Sequence, residues 1–168
     1  MTRGAVRSID IVVEGAAWKT LSPAARGRLK KAALRALARE KAKGHFTLLL
    51  TGDARVKQMN ALFRGKNKPT NVLSFPAEEN ADRYLGDVAV AYGVVRREAK
   101  EAGKAFADHL VHLAVHGVLH LLGHDHMKPR EATRMEGLER EILAEFGISD
   151  PYAPIPAKSR RKPAKRHV

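Results

Sequence analysis

The sequence predicts a single α/β domain in which a four-stranded, mostly mixed sheet packs against about five helices. A chain of 168 residues, 44% of them hydrophobic, is enough for one domain with its own core. Strand-like and helix-like segments alternate along the first part of the chain, and the C-terminal part is helical. No repeat or linker divides residues 1–153, so we expect them to form one domain.

The first strand and the first helix have separate sequence signals. Residues Ser8–Glu14 alternate polar and apolar side chains before a β-branched run, which is typical of a strand. Residues Ser22–Lys43 are rich in helix formers and begin with Ser22 and Pro23, a favourable N-cap and first-turn pair. Gly44 is expected to end this helix.

Turn signals separate the second and third strands. The apolar run His45–Gly52 is flanked by glycines and predicts a buried strand. Asp53 is expected to cap the helix that follows, Ala54–Phe63. A turn-rich stretch then leads into a strand at Thr70–Phe75, which Pro76 is expected to end.

A fourth strand and three helices complete the predicted domain. The strand is Leu85–Tyr92, and the helices are about Val94–Ala102, Phe106–Leu122 and Pro129–Phe146. The last helix carries an apolar stripe at helical spacing, which predicts core packing. The stripe consists of Met135, Leu138, Ile142 and Phe146.

Composition and charge narrow the function classes. Without cysteine, a metal site can use only nitrogen and oxygen ligands. The sequence lacks the long apolar run of a membrane helix or signal peptide, which favours a cytoplasmic protein. A net charge of +13 favours a polyanionic partner, and nucleic acid is favoured over a membrane surface. The alternative is a basic, solvated surface without such a partner. Residues 154–168 carry six lysines or arginines and no acid, and we expect a basic disordered tail.

Five of the eight histidines lie in one segment, His112–His126 (HLAVHGVLHLLGHDH). His116 and His120 are four residues apart on the predicted helix, so they lie on the same face. The distance between the two residues is about 6 Å, which suits two ligands of one metal ion. His112 lies about 12 Å from His120 along the helix axis, too far to bind the same ion. We therefore expect the third ligand beyond the helix, where Gly123 can turn the chain back.

The spacing H-x-x-x-H-x-x-G-x-x-H matches the zinc site of metzincins, in which the last histidine is the third ligand. We therefore predict a metzincin-like metal-binding helix with ligands His116, His120 and His126, and favour His126 over His124. Three ligands from one segment leave an open position, as in catalytic sites, where zinc lowers the pKa of bound water to about 7. The alternatives are histidines satisfied within the core and a purely structural zinc.

The substrate is expected to be a phosphodiester rather than a peptide. A metzincin peptidase uses a glutamate directly after its first histidine as general base, and this chain has Gly117 there. Arg64, Lys66 and Lys68 lie in a turn-rich stretch, where an arginine could neutralise a phosphate. An ordinary solvated loop is the alternative interpretation of these charges.

Four segments, taken in order, resemble the YbeY-type endoribonucleases of ribosomal RNA maturation. They are FRGKNKPTNVLSFP, LGDVAVA, HLAVHGVLHLLGHDH and MEGLEREILAEFGISDPY, and the resemblance extends from about Ile9 to Tyr152. It implies a metal-dependent endoribonuclease specific for single-stranded RNA, acting on the 3′ end of small-subunit ribosomal RNA and in ribosome quality control. It also implies one zinc ion per chain, although three imidazoles accept nickel or copper as well. The residues that match the family's metal ligands and its functional arginine are His116, His120, His126 and Arg64.

Other polar residues near the motif leave two interpretations open. Asp87 and Asp125 could orient a ligand histidine through its second ring nitrogen, or be a strand-end residue and a solvated carboxylate. His124 could carry protons beside the metal or lie at the surface. We expect His109 and His112 to pack in the core or line a groove rather than to bind the metal.

The sequence leaves two alternative functions open. One is a ribosome-binding assembly factor with a structural metal, in which RNA binding without cleavage is the activity. The other is a peptidase, which Gly117 disfavours.

Overall fold

The computed structural model describes residues 6–154, so residues 155–168 of the predicted basic tail lie outside the described range. The described residues form four strands, five α-helices and a short 3₁₀ helix at Ala16–Thr20, in agreement with the predicted fold class. The strands are β1 (Arg7–Val13), β2 (Gly44–Thr51), β3 (Val72–Pro76) and β4 (Tyr84–Ala91). The helices are α1 (Pro23–Arg39), α2 (Asp53–Arg64), α3 (Tyr92–Glu101), α4 (Phe106–Leu121) and α5 (Pro129–Glu145).

The sheet is mixed, as predicted, with the strand order β1-β2-β4-β3. β1, β2 and β4 are parallel, while β3 runs antiparallel to β4 and pairs Ser74 with Val88. β3 therefore lies at one edge of the sheet, with its outer side toward the cleft described below. This edge position depends on long-range pairing and could not be inferred from local sequence signals.

The predicted C-terminal end of the first helix is wrong. α1 ends at Arg39, four residues before the predicted Lys43. Lys41 takes the left-handed conformation with φ 54°, and the N–H of Ala42 donates to the carbonyl of Leu37 at 2.9 Å. This is a Schellman-type end in which a lysine occupies the position usually taken by glycine. The glycine signal at Gly44 therefore predicts a helix end that lies too far along the chain.

One of the two predicted helix caps is confirmed and the other is wrong. Ser22 caps α1, since its Oγ accepts from the N–H of Ala25 at 3.1 Å. Gly52, and not Asp53, is the N-cap of α2. The Asp53 carboxylate instead accepts from the N–H of Val94 at 3.0 Å, in the first turn of α3. It thus satisfies a free donor of another helix, a long-range contact without a local signal.

α4 is the central helix, and it packs against the sheet and against α1, α3 and α5. Met135 and Ile142 of α5 are fully buried in the core, and Leu138 and Phe146 pack against it, which confirms the predicted stripe. Among residues 6–154, no helix is both long and apolar enough to cross a membrane.

Candidate metal centre and basic cleft

A cleft of about 490 Å³ opens between α4, the edge strand β3 and the loop after α2. The three histidines of the predicted metal site line one part of it: His116, His120 and His126. The described residues that line it also include three cations and no carboxylate. The cations are Arg64, Lys66 and Lys68. The structure therefore brings the predicted metal ligands and the predicted phosphate-binding stretch to one basic cleft.

The three imidazoles converge at the end of α4. His116 and His120 have ring centroids 4.6 Å apart, and His126 lies 5.7 Å from the first and 5.1 Å from the second. One nitrogen from each ring lies within 4.8 Å of the others. The Nε2 atoms of His116 and His120 are 3.1 Å apart. Two ligands bound tetrahedrally at 2.0–2.1 Å lie about 3.4 Å apart, so this donor set fits a zinc-type ion.

Burial keeps one of the three histidines neutral. Burial of His120, together with the neighbouring His116 and His126, lowers the pKa of its imidazole to about 4. At neutral pH the His120 ring is therefore uncharged, and a metal ion does not have to displace a proton from an imidazolium. A neutral imidazole is the form that binds a metal ion.

A turn after α4 places His126 beside the helix and directs His124 away from it. Gly123 has φ 95°, a conformation that glycine adopts without strain, and its N–H donates to the carbonyl of His120 at 3.0 Å. His124 forms a hydrogen bond with Glu40 at the end of α1. This contact places the His124 ring in a different pocket from His116, His120 and His126, which does not support the proton-carrier interpretation.

The two candidate aspartates, Asp87 and Asp125, form hydrogen bonds with groups other than histidine rings. Asp125 Oδ1 accepts from the N–H groups of His126 at 2.6 Å and Met127 at 3.2 Å, and so shapes the backbone that carries His126. Asp87, on β4, accepts from the hydroxyl of Tyr84. Among the contacts of the described residues, neither aspartate orients a histidine ring.

The carboxylate that does contact a ligand histidine is Glu139, which the sequence interpretation missed. Its side chain is fully buried, and Oε1 accepts from Nδ1 of His116 at 3.1 Å and Nε2 of His112 at 2.8 Å. The Tyr152 hydroxyl donates to the same carboxylate at 3.0 Å. Burial by itself raises the pKa of Glu139, but the hydrogen bonds and charges of His112 and His116 lower it to about 2.

A sequence signal for Glu139 did exist. On α5 it follows Met135 by four residues and precedes Ile142 by three, so it lies on the apolar face of that helix. A carboxylate at such a position needs buried hydrogen-bond donors. Its donors, however, come from α4 and from Tyr152, which local sequence does not reveal.

The remaining histidines of α4 pack as the sequence predicts. His109 is buried, and its Nε2 donates to Glu98 of α3 at 2.9 Å. Burial lowers the pKa of His109, while the nearby Glu98 acts in the opposite direction. His112 is bound to Glu139, as described above, and is not part of the three-histidine cluster.

Gly117 allows α4 to lie close to the sheet. A Cβ at this position would lie 2.5 Å from Cγ1 of Val88 and 3.3 Å from Oγ of Ser74. The Ser74 hydroxyl also donates to the Gly117 carbonyl at 2.8 Å. The residue that replaces the peptidase glutamate therefore faces β3 and β4, and the site has no room there for a side chain.

Arg64 is held over the edge strand. It is the last residue of α2, which ends at Gly65 in a left-handed conformation with φ 68°. Its Nη2 donates to the carbonyl of Ser74 at 2.5 Å, and its Cζ lies 5.7 Å from the ring centroid of Phe75. A guanidinium has five N–H donors, so this hydrogen bond leaves most of the fork available to a ligand in the cleft, which Arg64 lines.

Asn60 supports the loop that carries the two lysines, and, unlike Glu139, it has no clear sequence signal. It is buried, and its Nδ2 donates to the carbonyl of Lys68 at 2.9 Å. The main-chain carbonyl of Asn60 accepts from the N–H of Lys66 at 3.2 Å. The cationic loop is thus tied to α2 at both lysines.

The chain is similar to known proteins over most of its length. Residues 16–147 match the family model described as Endoribonuclease YbeY. Over 150 residues the chain is 49% identical to the Endoribonuclease YbeY of Maricaulis maris, covering 88% of this chain and 92% of that protein. Over 161 residues it is 47% identical to the Endoribonuclease YbeY of Rhodopseudomonas palustris, covering 91% and 85%. The solution structure of TM1509 from Thermotoga maritima matches with a TM-score of 0.56 and 27% identity, covering 87% of this chain and 99% of that chain.

Proposed function

Since the chain belongs to the Endoribonuclease YbeY family, we propose that it is a metal-dependent endoribonuclease that cuts single-stranded RNA in the cleft described above. The observation that carries the proposal is the lining of this cleft. Three converging imidazoles share it with three cations and, among the described lining residues, with no carboxylate. A negatively charged phosphodiester fits such a lining.

The proposed metal ligands are His116, His120 and His126, each through one ring nitrogen. When bound, a zinc-type ion supplies a Lewis acid beside the phosphate. The Glu139 carboxylate accepts from Nδ1 of His116, which leaves Nε2 as the nitrogen that can bind a metal. We propose zinc as the native ion, with nickel as the next candidate for three nitrogen ligands.

Arg64 is the proposed phosphate-binding residue. Its anchored guanidinium presents a planar fork to the cleft, a geometry that suits two oxygens of one phosphate. Lys66 and Lys68 add positive charge along the path of the strand, in a loop that Asn60 holds in place.

The proposed substrate is ribosomal RNA, in particular the 3′ end of the small-subunit RNA, reached in the cytoplasm on or near the small ribosomal subunit. The similarity to Endoribonuclease YbeY proteins and the net charge of +13 support an RNA substrate. Peptide hydrolysis has no support, because position 117 lacks both the glutamate and the space for one.

Incubation of the purified chain with single-stranded and double-stranded RNA tests this function. We expect the parent protein to cleave the single strand. This cleavage should be lost when a chelator is added, and it should be absent in the His116→Ala and Arg64→Ala variants. His124→Ala is the matched control, because that histidine lies outside the cleft. RNA binding without cleavage by the metal-loaded protein would favour an assembly factor, and cleavage by His116→Ala would exclude the metal mechanism. Elemental analysis of protein purified without a histidine tag identifies the ion.

A further inference from the structure

We infer that Phe63, which directly precedes the cleft residue Arg64, stacks on an unpaired base of the bound strand. The inference rests on the proposed function and adds a base-binding position to it. The aromatic ring is on the last turn of α2, directly before Arg64. It is 66% exposed, although it is one of only five phenylalanines in the chain.

An exposed aromatic residue by itself does not indicate a binding site, but the groups beside Phe63 do. The Phe63 ring lies 5.5 Å from the ring of Phe75, with the planes at 66°. The Arg64 guanidinium lies 5.7 Å from the same Phe75 ring. Two aromatic rings and one guanidinium thus form a continuous row, and the guanidinium end of this row lines the cleft.

This combination of groups fits a single nucleic-acid strand. Bases of a single strand present their π-faces, which stack on aromatic rings and guanidinium planes, whereas paired bases are already stacked on each other. Phosphates of the same strand require cations nearby, and Arg64, Lys66 and Lys68 provide them on the cleft side of the row. Charge and aromatic surface therefore lie side by side, as a chain of alternating phosphates and bases requires.

Two of the three groups in this row, Phe75 and Arg64, are held in place by the fold. Phe75 belongs to β3 and packs against a small core cluster beneath α2. Arg64 is tied to the Ser74 carbonyl at 2.5 Å. Groups that are already fixed lose little conformational freedom on binding, which favours affinity.

Binding of a 2′-O-methyl single-stranded oligonucleotide, checked afterwards for intact length, tests the inference apart from cleavage. We expect Phe63→Ala to weaken binding about 5- to 150-fold, the contribution of one stacked base. Phe63→Trp should bind as tightly as the parent. Leu62→Ala is the matched control, because Leu62 is 74% exposed on the same turn and has no π-face. It should leave binding unchanged.

Two further measurements separate stacking from charge and from general damage. An oligonucleotide of the same charge with abasic positions should bind the parent and Phe63→Ala proteins equally. Phe63→Ala should keep the salt dependence of binding, whereas Lys66→Ala should reduce its slope by about 0.7. Thermal unfolding and circular dichroism check that each variant is folded.

The outcomes are distinguishable. Equal affinity of parent and Phe63→Ala for the intact strand would overturn the stacking inference while leaving the proposed function in place. The inference also fails if the Phe63→Ala loss persists on the abasic strand. A parent protein that neither binds nor cleaves single-stranded RNA would instead overturn the proposed function.

Discussion

Glu139 Oε1 lies 3.1 Å from Nδ1 of His116, and this hydrogen bond joins α5 to the histidine cluster of α4. The bond places the proton of the His116 ring on Nδ1, so the lone pair of Nε2 faces His120 at 3.1 Å. A buried carboxylate therefore determines which nitrogen of His116 can bind a metal.

Glu139→Gln should lower the affinity for zinc about 10- to 100-fold, because the amide is a weaker acceptor for the His116 ring. Competition with a chromophoric chelator measures the affinity without any RNA. Glu141→Gln is the control, since Glu141 is on the same helix but is 61% exposed. Parent-like affinity in a folded Glu139→Gln protein would contradict the positioning role.

His126→Ala should remove the bound metal, whereas His124→Ala should retain it. The reason is that His126 lies within the three-nitrogen cluster and His124 forms its hydrogen bond with Glu40 instead. Elemental analysis gives the metal content of each variant per chain. Equal metal content in the two variants would refute the assignment of the third ligand.

Gly117→Ala should destabilise the fold by about 1–3 kcal/mol, because its Cβ overlaps Val88 and forces α4 away from the sheet. Urea denaturation measures this loss, and the additional change Val88→Ala should restore part of it. Gly27→Ala is the control: this α1 position is open within 4 Å, and we expect stabilisation of about 0.5–1 kcal/mol. A neutral Gly117→Ala would show that the helix can shift freely.

Arg64→Lys should lower kcat/KM for RNA about 10-fold or more, because lysine keeps the charge but loses the planar fork. The contact with the Ser74 carbonyl, which positions the fork, is also lost. The control is Arg55→Lys, an exposed arginine on the same helix. Full activity of Arg64→Lys would show that only the charge matters at this position.

The stability of the metal-free protein should fall as the pH drops below about 6.5, in part through His109. Burial lowers the pKa of His109 in the folded state below the unfolded value of 6.5. Below pH 6.5 the unfolded chain therefore takes up a proton that the folded chain resists, and folding becomes less favourable. Urea denaturation at pH 7.5 and 5.5, with a chelator present, should show a smaller change for His109→Gln than for the parent. Identical pH dependence in both proteins would assign the effect to other groups.

Much of the fold could be predicted because its signals are local. The helix spacing of His116 and His120, the turn at Gly123 and the Ser22 cap depend on residues within one or two turns of each other. The same holds for most element boundaries, which agree within two residues. The end of α1 at Arg39 is the exception, because Lys41 adopts a conformation that its side chain does not favour.

The sequence by itself determined the strands and helices, the spacing that brings three histidines together and the excess of positive charge. Only the tertiary structure decided that β3 is the edge strand of the cleft, that Asp53 serves α3, and that Glu139 reaches His116. The sequence identifies Gly117 only as the position where a peptidase has glutamate. The structure shows that glycine is required there, because α4 lies close to the sheet at this residue. The physical reason is distance along the chain. Local patterns depend on backbone geometry and solvation, whereas these contacts join residues far apart in sequence, whose partners are set only when the core closes.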